Sequence, residues 1–177
     1  MHGENFIAAN AILINLVFLS AFILDAYAFS TEGIVGYSLG KKDLNLFKII
    51  LKNSFILSSL TGLLISIIYF FISKHVINLM SDIEEIRLLS SNYSIWLIIM
   101  PFIASFCYQF DGIFIGVSQT KELRNAMIFS VTSFLILSII LTKYYFNTGI
   151  WISLCIFMIL RALSLYYYMR RIYLRFN

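Results

Sequence analysis

Charged side chains are missing from five long stretches of this chain. No Asp, Glu, Lys or Arg occurs between Glu4 and Asp25, Lys52 and Lys74, Arg87 and Asp111, Arg124 and Lys143, or Lys143 and Arg161. Each gap approaches the roughly twenty residues that an α-helix needs to cross the hydrocarbon core of a bilayer. Hydrophobic residues make up 60% of the 177 and charged ones 12%, with a mean hydropathy of +0.89. A soluble domain of this size needs more charge to cover its surface, so the chain reads as an integral membrane protein. One proline and eight glycines leave the apolar runs long, which favours helices over a barrel of short alternating strands. The expected fold is an all-α polytopic membrane helix bundle of about five transmembrane helices, a single membrane domain over residues 1–177.

The first apolar segment, Phe6 to Leu39, looks too long for one simple crossing. It holds Asp25 and Glu32, seven residues apart and so on one helix face together with Phe29 and Gly36. Gly36 and Gly40 form a small-xxx-small pair that lets a neighbouring helix approach, and Gly40-Lys41-Lys42-Asp43 reads as a helix stop followed by a basic loop. A second span runs from Leu46 to Ser73. In the connection Lys74 to Ser91, Ile83, Ile86 and Leu89 recur at helical spacing, which fits a short helix on the membrane surface or a solvated loop. The third span, Asn92 to Ser118, contains Pro101, Asp111 and the pair Gly112/Gly116. Pro101 frees a backbone carbonyl, either bending the helix to open a cavity beside Asp111 or making an ordinary tolerated kink. The fourth span is Leu123 to Leu141, and the fifth, Ile150 to Tyr168, contains Arg161.

Asp111 stands ten residues before Lys121, about 15 Å along a helix from the basic end and near the middle of a bilayer. An ionisable group at that depth is costly, so Asp111 is a candidate for ion or proton handling, beside the plainer reading of a hydrogen-bonding Asp between helices. Glu32 lies nine residues before Lys41 and Arg161 nine before Arg170, about 13–15 Å in by the same count; Asp25 is about 24 Å from Lys41. Arg161 at such a depth needs a carboxylate, Glu32 or Asp111, unless its stem reaches the headgroups.

Nine Lys and Arg residues (Lys41, Lys42, Lys48, Lys52, Lys121, Arg124, Arg170, Arg171 and Arg175) fall on one side of the five spans, against Lys74, Arg87 and Lys143 on the other. The positive-inside rule then puts the C-terminus in the cytoplasm and the N-terminus outside. A net charge of +4 distributed this way sets orientation and does not point to nucleic acid. Cys107 and Cys155 sit within spans without metal-ligand spacing, His2 and His75 do not look like ligands, and no phosphate loop or nucleophile triad occurs. Neither an enzyme nor a metal protein is expected.

Three stretches carry a family resemblance: LDAYAFSTEGIVGYSLGKKD (24–43), DGIFIGVSQTKELRNAMIFS (111–130) and GIWISLCIFMILRALSL (149–165). They resemble the C-terminal part of multidrug and toxic compound extrusion (MATE) transporters, nearest the DinF-like branch, with similarity from Asn5 onward. The resemblance implies that the five spans are helices eight to twelve of a twelve-helix, two-lobe fold. It implies exchange of cationic or amphiphilic compounds for H+ or Na+ in the inner (plasma) membrane, with no cofactor beyond the coupling ion. Asp111 matches the acidic residue of helix ten, and Asp25 and Glu32 match acidic positions of helix eight; these three are the expected coupling residues. The N-terminal lobe and helix seven have no counterpart here. The expectation is an incomplete C-terminal lobe, completed by a separate N-terminal polypeptide or left as a non-transporting remnant. A flippase for lipids or lipid-linked sugars is a further alternative, but it would want a cavity richer in Lys and Arg than Arg161 alone supplies.

Overall fold

The computed structural model describes His2 to Phe176, with the side chain of His2 outside the described residues, and among these it contains helices only. They are α1 (His2–Gly40), α2 (Leu44–Met80), α3 (Glu84–Asn92), α4 (Ile95–Gly116), α5 (Thr120–Tyr145) and α6 (Asn147–Tyr173). All except α3 are long and apolar enough to cross a membrane. The chain is an all-α membrane helix bundle.

The first segment is as long as its sequence implies: α1 is one continuous helix of 39 residues, about 58 Å long and almost twice the hydrocarbon thickness. Asp25 and Glu32 lie within it without interrupting it, and both border one cavity. The inward face of α1 is a stripe of Leu13, Leu16, Ser20, Leu24, Ala28, Thr31, Val35 and Ser38, spaced at three or four residues. Its reversal into α2 rests on Lys42 at φ 54° and on Asp43, whose side chain accepts a hydrogen bond from the Leu46 backbone N–H at 2.9 Å.

Helix α2 runs past its expected end to Met80, and the connection that follows forms α3, a two-turn helix against α1 and α2. Ile86 is buried there and Leu89 packs on the core, but Ile83 is left exposed before the first turn. The serines and threonines of α5 bond within their own helix: Ser130, Thr132, Ser133 and Ser138 donate to carbonyls three or four residues earlier.

Helix α4 is the centre of the bundle, touching α1, α2, α5 and α6. Glycines allow its close crossings. A Cβ on Gly112 would run into the Ala28 backbone, and one on Gly116 would lie within 3.0 Å of the Glu32 backbone. Gly36 belongs to the same crossing, where a Cβ would sit 2.9 Å from the Gly116 carbonyl oxygen. Gly40 does not: among the described residues nothing lies within 4 Å of its Cβ position, because α4 has already ended at Gly116. Pro101 sits inside α4, and Gly62 of α2 packs against its carbonyl, 2.8 Å from where a Cβ would be.

Two apolar clusters fill the bundle. One, around Leu13, Leu16, Tyr69, Leu97 and Trp151, lies towards the sparsely charged end. The other, around Phe47, Ile113, Phe114, Leu165 and Ile172, lies towards the basic end. Between them, along the sequences of α1, α4 and α6, comes a layer of polar side chains.

Candidate functional site

That layer is built from residues at helical spacing. On α1, Asp25 and Glu32 stand two turns apart on one face, and Thr31 beside them turns inward. On α4, Tyr108, Gln109 and Asp111 face different neighbours within a single turn, and α6 contributes Arg161. The buried hydroxyl of Thr31 donates to its own helix at Tyr27 O and lies 3.0 Å from Oε1 of the fully buried Gln109. The Thr61 hydroxyl of α2 is bonded to the Tyr27 hydroxyl at 2.8 Å. This neutral strand of hydrogen bonds ties α1 to α4 and α2 beside the charged residues.

The charged centre is an ion pair. Nη2 of Arg161 lies 2.7 Å from Oδ2 of Asp111, with side-chain exposures of 17% and 14%. Its length is that of a charge-assisted hydrogen bond. The second carboxylate oxygen of Asp111 and the Nε of Arg161 are buried and make no hydrogen bond among the described residues. The pair lines a cavity of about 270 Å³ whose walls include Asp25, Phe29, Glu32, Tyr108, Gly112 and Leu123. Asp25 also lies in the field of the Arg161 guanidinium.

All four charges anticipated at depth therefore surround one cavity, and Arg161 takes Asp111 rather than Glu32 as its partner. Counting along the helix sets Asp25 about two turns deeper than Glu32, yet it borders the same space. Pro101 borders none of it; the buried proline packs instead against Gly62. Counted formally, three carboxylates and one guanidinium give the cavity a charge of −2 when all are ionised. A low-dielectric wall around an excess of negative charge attracts cations. Cys107 and Cys155 are buried free thiols in the same helices.

A second polar cluster joins α1 to α6 near the sparsely charged end, and sequence reasoning missed it. Asn10 and Asn147 exchange side-chain amide hydrogen bonds of 2.6 and 3.1 Å, and the indole N–H of the buried Trp151 donates to Oδ1 of Asn10 at 3.1 Å. An Asn inside an apolar run was the available signal. Gly62 and Gly149 were also unforeseen contact glycines, the latter seated on the Leu141 and Thr142 backbone at the α5–α6 turn.

A family model described as MatE matches residues 1–143. DNA damage-inducible protein F of Escherichia coli K12 is 32% identical over 163 residues, which is 92% of this chain and 35% of that protein. The chain thus spans about a third of the length of this relative.

Proposed function

This chain belongs to the MatE family, and from that premise we propose that it is the C-terminal lobe portion of a cation-coupled multidrug antiporter. An N-terminal lobe would complete it, and the exported compounds would be cationic or amphiphilic. The supporting observation is the acidic cavity between α1, α4 and α6, in which Arg161 neutralises one of three carboxylates. Asp111 is the proposed coupling residue, taking H+ or Na+, and Arg161 is its resident counter-charge. A coupling ion arriving at Asp111 competes with the guanidinium, so occupancy is tied to whether α6 holds α4. Asp25 and Glu32 keep the space attractive to cations throughout the exchange. One cation against three acids disfavours the flippase reading, which needs a cavity for anionic headgroups. The nine-to-three asymmetry of Lys and Arg supports an inner-membrane protein with a cytoplasmic C-terminus.

Alternating access of the two-lobe kind needs both lobes. The test is ethidium efflux from cells expressing this chain alone, the N-terminal portion of the E. coli relative alone, or both. Efflux is expected only with both, driven by a proton or sodium gradient, and is expected to be lost in Asp111→Asn. Efflux by this chain alone would refute the need for a second lobe. Gradient-driven efflux that survives Asp111→Asn would refute the coupling role.

A further inference from the structure

A groove of about 630 Å³ opens between α2 and α6 towards the basic end of the bundle, and it shares no lining residue with the acidic cavity. Its floor is an aromatic strip. The Phe55 ring lies 4.9 Å from that of Phe110, and Phe110 lies 6.3 Å from Tyr166, both edge to face. Two cations, Lys52 of α2 and Arg170 of α6, also line the groove.

Two nearby arginines are paired: Arg161 is bound by Asp111, and Arg171 by Glu122 at 2.9 Å. Lys52 and Arg170 make no ion pair or hydrogen bond among the described residues. The acids at this end are Asp43 in the α1–α2 turn and Glu122 in the first turn of α5; the first caps α2 and the second holds Arg171. The groove therefore carries two positive charges that no acid among the described residues neutralises.

Lys52 enters α2 eight residues after Leu44, about 12 Å, and Arg170 precedes the last residue of α6 by about 5 Å. A lysine stem spans part of that distance and carries its ammonium towards the interface. Cations at the headgroup level above an aromatic and apolar channel reproduce the order of groups along one anionic lipid. Two other grooves, at Phe102 and Phe106 and at Phe70 and Phe71, are lined without any charged residue and select nothing beyond an acyl chain.

We propose that this groove seats an anionic phospholipid, its phosphate held by Lys52 and Arg170 and one acyl chain lying along Phe55, Phe110 and Tyr166. The test is native mass spectrometry of the purified chain offered equal amounts of phosphatidylglycerol and phosphatidylcholine with the same acyl chains. Phosphatidylglycerol should be retained preferentially. Lys52→Gln and Arg170→Gln should each lower that preference about fivefold, and the double substitution about thirtyfold, the effect of basic residues near an anionic headgroup. Lys42→Gln, in the α1–α2 turn outside the groove, should leave it unchanged. Retained phosphatidylcholine and unaltered helical circular dichroism report that each variant is folded. Equal retention of the two lipids would overturn the proposal, as would an equal loss in Lys42→Gln, which would mean diffuse attraction. Displacement by chainless glycerophosphoglycerol would overturn it too, by showing a soluble-anion site.

Discussion

Replacing Arg161 by Met keeps an unbranched apolar stem in α6 but strands the Asp111 carboxylate. Removing one partner of a fully buried pair destabilises by about 3–5 kcal/mol. Here both side chains retain some exposure, and they border a cavity of about 270 Å³. Those facts lower the expected loss to about 2–3 kcal/mol, which for a chain of this length corresponds to a fall of roughly 5–10 °C in the unfolding midpoint. Asp111→Asn alone strands the guanidinium and should fall by a similar amount. The double variant should lose about 2 kcal/mol less than the sum of the two, which is the coupling that a cycle isolates. Cys107 and Cys155 provide the assay: both thiols are buried, so a fluorogenic maleimide reports unfolding in detergent without added labels. The same cycle on Arg161 and Glu32 is the control and should be nearly additive. Additivity for Arg161 and Asp111, or equal coupling to Glu32, would refute the pairing.

Gly116→Ala should push α1 off α4 at Glu32 and destabilise by about 1–3 kcal/mol, whereas Gly40→Ala, with open space around it, should leave the midpoint unchanged or raise it slightly; the same thiol assay measures both. For topology, single cysteines at Asn45 and Tyr144, both exposed, in a background lacking Cys107 and Cys155 should react with an impermeant reagent from opposite faces of the membrane. Labelling of both from outside would refute the five-span arrangement.

What the sequence determined by itself follows from the solvent. A bilayer core has no hydrogen-bonding partners, so spans must be apolar helices of sufficient length, and charge must lie at their ends or in the interior. Five apolar helices long enough to span were legible for that reason, and Asp25 and Glu32 could be placed on one face by their spacing. The side of each helix that faces inward was not legible. Lipid is as apolar as a protein core, so Leu63, Leu64, Phe70 and Phe71 of α2 are exposed while Ser58, Gly62, Ser66 and Ser73 are buried. Hydrophobic pattern cannot sort these two faces. Tertiary structure alone decided that Asp111 rather than Glu32 holds Arg161, because residues at equal depth are separated only by how α1, α4 and α6 are rotated about their axes. It also decided that Gly36, Gly112 and Gly116 mark a crossing and Gly40 does not: a small residue permits close approach, but only where another helix arrives.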